Sequence, residues 1–288
     1  MTTSSVTFLV VARDAGLNLD RCLKALRASA VGPEAVSARG SSSASVDPLA
    51  PTIIVDNASS DGAPGRVQGL FPRVELVRNP VPRGWAAAVN QGLARVADGL
   101  VILAHPLVMA RPLSVARLVD FMDANPDCGL CGARLLTPDG RPLPSARRFP
   151  SVTHTLLGVS GLSRRFPHSV CNRAEYQGPA FAHPADVDWV PPGLCILRTA
   201  TLRRVGLLDE RFGAFYGLTD LCRRIKSEIA PAWRVCWLPQ AVAEWPMDPA
   251  CHGGADLDCD TAGPEVLAER LGGEMLYLRK HHGLAGVL

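Results

Sequence analysis

Residues 52–62 read Thr-Ile-Ile-Val-Asp-Asn-Ala-Ser-Ser-Asp-Gly, a strand-forming run that ends in a cluster of carboxylate, amide and hydroxyl groups. A short apolar run of this kind is typical of a buried strand in a parallel sheet. The polar cluster follows directly, and open α/β sheets bind their ligands at the carboxyl ends of their strands. The stretch therefore predicts an α/β fold with a ligand site after this strand.

The chain on either side of this stretch alternates strands with helices. Alternation of this kind predicts a doubly wound α/β layer with helices on both faces of a mixed, mainly parallel sheet. Strands are predicted over Val6–Ala12, Thr52–Val55, Val74–Val77 and Leu100–Ala104, and helices over Leu19–Leu26 and Ala86–Ala97.

The second half of the chain is less regular. A hairpin is predicted around the turn Thr137-Pro138-Asp139-Gly140, and Thr219 is a predicted N-cap. Because no clean linker interrupts the chain, a single domain is expected over 1–250, with a flexible Gly/Ser-rich insertion at 29–51 and a C-terminal loop and helix, 251–288, packed on it. The other predicted strands are Val187–Val190, Leu194–Arg198 and Trp233–Leu238, and the predicted helices are Thr219–Lys226 and Glu265–His281.

Composition narrows the class of protein. The 30 Lys and Arg residues against 27 Asp and Glu leave a net charge of +3, too small to indicate a nucleic-acid partner. The longest apolar stretch, Leu100–Ala110, is broken by His105 and Pro106 and is too short for a membrane span. The N-terminus lacks the basic start of a signal peptide. A cytoplasmic protein is predicted, peripheral at the inner face of the membrane if its arginine pairs face anionic lipid.

Two motifs carry candidate binding chemistry. Asp56 lies where a carboxylate would accept hydrogen bonds from a nucleotide base or ribose, and Ser60-Asp61-Gly62 would turn the chain and cap the next helix. Further on, Asn79–Gly92 places small residues on the first turn of a helix, whose N-terminus favours phosphate. The alternatives are a polar turn without a ligand and a helix packed tightly on the sheet through its alanines.

Together these motifs resemble the family 2 glycosyltransferases, in particular the rhamnosyltransferase-like branch. The ordered resemblance continues through residues 132–140, 144–150, 187–198, 205–212 and 277–283.

The resemblance implies a GT-A-like domain that binds a dTDP-, UDP- or GDP-linked sugar and transfers the sugar with inversion to a hydroxyl of a lipid-linked or protein acceptor. It also implies Mn²⁺ or Mg²⁺ at the diphosphate. The positions that it assigns to nucleotide binding are Asp14, Asp56, Asn57, Asp61, Gly84, Trp85 and Asn90, and those on the acceptor and diphosphate side are Trp189, Gly193 and His252.

The chain departs from the family pattern at both chemical positions. Where the family has an acidic metal ligand, this chain has Leu107, and the nearby His105 is a poor replacement because Mg²⁺ and Mn²⁺ prefer oxygen ligands. Where the family has the Glu-Asp pair that supplies the catalytic base, this chain has Gly217-Leu218. Leucine cannot accept a proton. The candidate substitutes for the base are Asp220, Asp209 and Glu210.

Two readings follow from these departures. In one, the protein is an active sugar transferase that uses a substitute base. In the other, it is a pseudoenzyme that keeps the fold and serves as a scaffold or a subunit of a protein complex. A separate hypothesis is a structural zinc site, because Cys128 and Cys131 have zinc-ligand spacing and Cys251, His252 and Cys259 lie in one polar loop.

Overall fold

The computed structural model describes residues 4–30, 50–71, 73–152, 182–227, 233–246 and 264–283. Helices and strands alternate as predicted in the first half. The strands are β1 Val6–Ala12, β2 Thr52–Asp56, β3 Val74–Arg78, β4 Leu100–Ala104, β5 Met109–Ala110, β6 Cys128–Leu136, β7 Ala185–Asp186, β8 Leu194–Arg198 and β9 Arg234–Glu244. The helices are α1 Leu17–Ser29, α2 Ala63–Leu70, α3 Trp85–Leu93, α4 Ser114–Ala124, α5 Thr199–Val205, α6 Gly217–Ser227 and α7 Pro264–His282.

The strands form one mixed sheet in the order β3-β2-β1-β4-β8-β6-β9-β5, with β7 beside β9. Strands β3, β2, β1 and β4 are parallel, and β8 joins β4 in the antiparallel direction. Registers such as Ala12 opposite Asp56 and Val10 opposite Ala104 align the carboxyl ends of the parallel strands. The polar residues that follow β1, β2 and β4 therefore emerge at one edge of the sheet.

Two apolar cores lie on the two faces of the sheet. On one face, Leu23 of α1, Val67 of α2 and Leu118 of α4 pack against strand residues such as Phe8 and Ile54. The second core includes residues of α3, α5 and α6, which pack against the opposite side chains of the same strands. Because strand side chains alternate between faces, the buried strands serve both cores at once.

Helix α3 packs closely on β1 through Gly92. A Cβ added at Gly92 would lie 2.2 Å from Cδ1 of Leu9. We expect Gly92→Ala to lower the free energy of unfolding by about 1–3 kcal/mol, the usual cost of overpacking. The measurement is urea denaturation. Gly69→Ala is the matched control, because nothing lies within 4 Å of that position in α2; the control should be neutral or slightly stabilising. Equal stability of the two variants would contradict the close packing.

Several predicted boundaries were wrong. Helix α3 ends at Leu93 rather than at residue 97, and α1 continues through Ser29, inside the predicted insertion, of which 31–49 lie outside the described residues. Residues 187–190 form no strand; the backbone there makes a single bridge between Trp189 and Arg147. The predicted hairpin reduces to one bridge between Leu136 and Pro142.

Thr219 is not the N-cap of its helix. Helix α6 begins two residues earlier, at Gly217, and Thr219 is buried within its first turn. The helix begins early because Tyr216 adopts a positive φ of 65° and turns the chain directly into it. In the part of the chain that the structure describes, no helix is both long enough and apolar enough to cross a membrane.

Candidate functional site

The loops that follow β1 and β2 are joined by carboxylates. Asp14 accepts a hydrogen bond from the Ser60 amide at 2.7 Å, and this bond holds the pKa of the Asp14 carboxyl below its usual value. Asp61 accepts from the Gly16 amide at 2.6 Å and from the Ala63 amide at 3.0 Å. The second bond satisfies an amide at the start of α2, as the sequence predicted for this turn. Asp14 and Asp61 are both exposed, and their hydrogen bonds tie the loop after β1 to the loop after β2.

Asp56 lies at the carboxyl end of β2 and is partly exposed. Its Oδ1 accepts a hydrogen bond from the Ser59 amide at 2.9 Å, the one bond that its carboxylate makes among the described residues. The Ser59 amide thus holds Oδ1 in place, while Oδ2 makes no such bond among the described residues. A carboxylate held in this way could accept a hydrogen bond from a ligand.

Asn57 is buried and organises the next loop. Its Nδ2 donates to the Arg83 carbonyl at 2.7 Å, and its Oδ1 accepts from the Arg83 amide at 2.9 Å. Asn79 donates to Asn57 at 3.0 Å and also exchanges hydrogen bonds with Gln91 on α3. Asn57 therefore supports the loop that leads into α3, rather than presenting its own amide to solvent. The sequence analysis did not identify Asn79 and Gln91 as part of this network.

The N-terminus of α3 meets the loop before α6. A Cβ added at Gly84 would lie 3.2 Å from Cα of Gly213, so the two backbones approach too closely for a side chain at Gly84 without some adjustment. One turn further on, Asn90 donates to the Leu208 carbonyl at 2.8 Å and to Glu210 Oε1 at 3.0 Å. Asn90 thus joins α3 to the loop after α5 and is nearly buried.

A small pocket lies between α3 and α6. Its cavity volume is about 10 Å³, enough for about one water molecule. Two sequence-predicted site residues, Trp85 and Trp189, line it, together with Leu218, which the sequence resemblance aligns with the family's base. None of the described residues that line it carries a carboxylate. The lining residues are Trp85, Trp189, Pro192, Ala214, Tyr216, Gly217, Leu218 and Thr219.

Trp189 is fixed as a wall of this pocket. Its Nε1 donates to the Arg148 carbonyl at 2.8 Å, and the buried guanidinium of Arg147 lies 5.1 Å from the ring centroid. Gly193 follows the Pro191-Pro192 turn, and a Cβ there would lie 2.8 Å from Leu135 and 3.1 Å from Trp245. Gly193 is therefore required for packing at this turn, whose Pro192 lines the pocket.

The residues at the expected metal position do not fit Mn²⁺ or Mg²⁺. His105 Nδ1 accepts a hydrogen bond from the Leu107 amide at 3.3 Å, and the imidazole lies against Trp245 with ring centroids 5.3 Å apart. Leu107 packs against the apolar core. Across the described ranges, no three His, Cys, Asp or Glu side chains are grouped as metal ligands. Hard cations need several oxygen ligands, and this position supplies none from a side chain.

Asp220 lies in a buried ion-pair network instead of in the pocket. Its side chain is fully buried; Arg224 donates to Oδ2 at 2.9 Å, and Lys280 and His281 of α7 contact Oδ1 at 2.7 and 2.8 Å. Burial alone raises the pKa of the Asp220 carboxyl. Hydrogen bonds from His281 and Lys280 and the charge of Arg224 outweigh burial, so the pKa lies below its usual value. The i, i+4 spacing of Asp220 and Arg224 could have indicated this pair from the sequence.

Asp209 belongs to the same network, whereas Glu210 does not. Arg211 donates to the Asp209 carboxylate at 2.6 and 2.9 Å, and Lys280 donates to it at 2.9 Å. The paired guanidinium, more than any other contact, holds the pKa of Asp209 far below its ordinary value. Glu210 is exposed and bonds Asn90. The three substitute-base candidates lie close together in the sequence, but none of them is among the described residues that line the pocket.

Helix α7 packs against the loop that precedes α6. Glu269 accepts a hydrogen bond from the Ala214 amide at 3.0 Å, and Gly273 provides space for Tyr216, since a Cβ there would lie 3.0 Å from the tyrosine ring. Tyr216 is buried, and burial raises its pKa well above the ordinary value. The packing of α7 therefore supports an unusual backbone conformation at one wall of the pocket. No pattern in the sequence indicated this role of α7.

The zinc hypothesis draws no support from the described cysteines. Cys128 and Cys131 are buried in β6, where burial contributes to raising the pKa of each thiol. Cys251, His252 and Cys259 lie outside the described residues, so the sequence assignment of His252 to the diphosphate side stays a prediction as well.

Comparisons with known proteins identify the family and the fold of the chain. The family model described as Glycosyl transferase family 2 matches residues 7–184. The N-acetylglucosaminyl-diphospho-decaprenol L-rhamnosyltransferase of Mycobacterium tuberculosis, in strains CDC 1551 / Oshkosh and ATCC 25618 / H37Rv, is 28% identical over 204 residues. That match covers 66% of this chain and 64% of the relative's own length.

Solved glycosyltransferases share the fold. GalNAc-T7 with UDP, GalNAc and Mn²⁺ superposes with a TM-score of 0.59 at 12% identity, over 99% of this chain and 52% of that one. The Pyrobaculum calidifontis mannosyltransferase PcManGT with GDP-Man and Mn²⁺ gives 0.54 at 16%, over 100% and 74%. S. aureus TarS 1-349 gives 0.52 at 13%, over 96% and 73%. The predicted single α/β domain of GT-A type is confirmed.

Proposed function

The chain belongs to glycosyl transferase family 2, and on that premise we propose that it binds a nucleotide-diphosphate sugar but transfers the sugar very slowly or not at all. The donor is dTDP-, UDP- or GDP-linked, and the nucleotide binds at the carboxyl ends of β1 and β2. The acceptor is a lipid-linked sugar, by analogy with the diphospho-decaprenol named for the mycobacterial relatives. Where transfer is lost, the protein acts as a scaffold or a subunit of a larger assembly.

One observation carries this proposal. Leu218, which the family resemblance aligns with the catalytic base, lines the pocket, and none of the described lining residues carries a carboxylate. An inverting transfer needs a proton acceptor within hydrogen-bond reach of the attacking hydroxyl. Asp209 and Asp220 are engaged by Lys280 instead. The loops around Asp56, in contrast, keep an ordered acceptor at the edge of the sheet. The described lining of the pocket lacks a base, whereas the edge of the sheet keeps an acceptor for the nucleotide. Together these two features support nucleotide binding without efficient transfer.

Asp56→Ala should weaken nucleotide binding. Loss of a charged hydrogen-bond acceptor costs about 1–3 kcal/mol, so the dissociation constant for the preferred nucleotide should rise about 5- to 150-fold. The measurement is isothermal titration calorimetry with UDP, dTDP and GDP. Asp139→Ala is the control, because Asp139 lies exposed on the turn after β6, where it pairs with Arg141. If the wild-type protein binds no nucleotide at millimolar concentration, the donor site is absent; unchanged affinity in Asp56→Ala would place the nucleotide elsewhere.

Mn²⁺ should tighten nucleotide binding by less than tenfold. The reason is the ligand set at the family's metal position, where His105 bonds the Leu107 amide and Leu107 has no donor atom. The same calorimetric titration, run with and without Mn²⁺, provides the measurement. Leu107→Asp is the matched variant and should gain dependence on the metal. A wild-type gain of tenfold, which corresponds to about 1.4 kcal/mol, would show that other ligands have rebuilt the site.

A further inference from the structure

Helix α7 exposes one whole side to solvent. Its opposite side, which includes Tyr277 and Leu278, is buried against the protein. The exposed positions recur at intervals of three and four residues, the spacing that places side chains along one side of a helix. We call these positions the outer face of α7; they are Glu265, Ala268, Gly272, Met275 and Arg279.

The centre of the outer face of α7 is small and apolar. Met275 is 54% exposed although its side chain is large and apolar. A Cβ added at Gly272 would meet no atom within 4 Å, so packing inside the chain does not account for a glycine there. Glycine in a helix interior costs about 0.5–1 kcal/mol relative to alanine. The adjacent Gly273 is different, because it provides space for Tyr216. Gly272 instead leaves open space on the outer side of the helix.

The two ends of the outer face of α7 carry opposite charges. Glu265 lies in the first turn of the helix and Arg279 in the last. Both are exposed, and neither makes an ion pair within the described part of the chain. Glu265 precedes Gly272 by seven residues, and Arg279 follows it by seven. The outer face is therefore complementary to itself when one of two such helices is turned end for end.

We propose that the outer face of α7 binds the same face of a second copy of this chain, with the two helices antiparallel. About the resulting two-fold axis, Gly272 meets Gly272, and Glu265 of each copy faces Arg279 of the other. Met275 of each copy then covers Ala268 of the other. A parallel pair would instead oppose like charges at both ends, which is unfavourable. This inference does not rest on the proposed function.

The contact is confined to one helix of each copy. Stable protein interfaces bury roughly 1,200–2,000 Å², so we expect a weaker dimer that forms at micromolar concentration. On its inner side α7 supports the pocket wall, because Glu269 accepts a hydrogen bond from the Ala214 amide and Gly273 gives space to Tyr216. The second copy therefore binds to the back of the helix that holds this wall.

The test is sedimentation velocity of the whole chain across the micromolar range. The wild-type chain should shift from monomer to dimer as its concentration rises. Gly272→Glu should raise the dissociation constant about tenfold or more, because it brings two carboxylates together at the two-fold axis. The matched control is Gly69→Glu, the same change at an exposed glycine of α2 that also has open space around it. The control should dimerise like the wild type.

A charge exchange tests the antiparallel arrangement itself. Glu265→Arg and Arg279→Glu should each raise the dissociation constant about threefold or more, since each change converts two attractive contacts into two repulsive ones. The double variant Glu265→Arg/Arg279→Glu should recover the wild-type dissociation constant. A more stable helix cannot explain that recovery, because both changes oppose the helix dipole.

Four results would overturn the inference. They are a wild-type chain that stays monomeric, a dimer that Gly272→Glu leaves unchanged, equal weakening by Gly69→Glu, and a double variant that does not recover dimer formation. Circular dichroism establishes that each variant is folded, and Gly272→Glu should fold because no atom lies within 4 Å of the added Cβ. Nucleotide binding by these variants should match the wild type, so the donor site is tested separately.

Discussion

Transfer from dTDP-, UDP- and GDP-linked sugars to hydroxyl acceptors should be undetectable, or slower by a factor of about 10²–10⁴ than in a family member with its base. Leu218 lines the pocket. The sequence resemblance aligns it with that base, and a leucine accepts no proton. Asp220 follows two residues later, but its side chain is fully buried and held by Arg224 and Lys280. The measurement is release of nucleotide and labelled sugar transfer with the wild-type chain.

A variant that restores both carboxylates tests the same prediction by a gain of activity. Leu107→Asp/Leu218→Asp should raise the transfer rate in the presence of Mn²⁺, because it returns a carboxylate to each altered position. Leu107→Asn/Leu218→Asn is the matched control, since asparagine has the same shape as aspartate but accepts no proton. Melting temperatures must be recorded for both variants, because Leu218 is 3% exposed and a polar side chain there is destabilising. A gain in the aspartate variant alone would confirm the reason for the loss.

Robust transfer by the wild-type chain would contradict the proposal in one of two ways. If transfer is abolished by Asp220→Asn, Asp209→Asn or Glu210→Gln, that residue is the substitute base and the protein is an active enzyme. If transfer survives all three changes, a base outside these candidates acts on the acceptor. In either case the proposal of lost transfer falls, whereas nucleotide binding at the edge of the sheet is tested independently.

Asp220→Asn should lower the free energy of unfolding by about 3–5 kcal/mol, the usual effect of removing one partner from a buried ion pair. The change leaves Arg224, which is 7% exposed, without its carboxylate and removes the anchor of Lys280 and His281. Urea denaturation provides the measurement. Asp139→Asn is the control, because the Asp139–Arg141 pair is exposed and should contribute less than about 1 kcal/mol. Similar stability of the two variants would mean that the network contributes little.

The same network predicts the direction of the pH dependence. The pKa of Asp220 is lower in the folded chain than its ordinary value. Its stabilising contribution is therefore fully present above about pH 4, the pKa of an unfolded aspartate, and is lost as the pH falls through the lower folded value. Asp209 acts in the same direction because its pKa is also lowered. Unfolding measured from pH 7 down to pH 2 should show a shallower loss in Asp220→Asn than in the wild type.

Residue pattern was sufficient for the parallel half of the fold. The runs Val6–Ala12 and Leu100–Ala104 are apolar on both faces, and the structure has strands over the same residues. The sequence alone predicts such strands, because a strand that is buried on both faces of a parallel sheet consists almost entirely of apolar residues. The antiparallel half was less predictable. Residues 187–190 have strand-like composition, but pairing with β9 ends after β7 with one hydrogen bond from the Val187 amide to the Val235 carbonyl, and Trp189 then bridges Arg147.

The sequence by itself determined the family, and it predicts that Leu107 and Leu218 replace the metal ligand and the base. They stand in ordered motifs, and a leucine side chain has no hydrogen-bond donor or acceptor in any fold. Only the tertiary structure decided where the neighbouring carboxylates lie. Asp220 was a candidate base in the sequence, and the approach of α7 from more than fifty residues away brings Lys280 and His281 onto it. The pKa and the pairing of a carboxylate depend on the opposite charges that lie nearest to it in space. Which charges these are depends on how distant elements pack together, and the local sequence pattern does not show it.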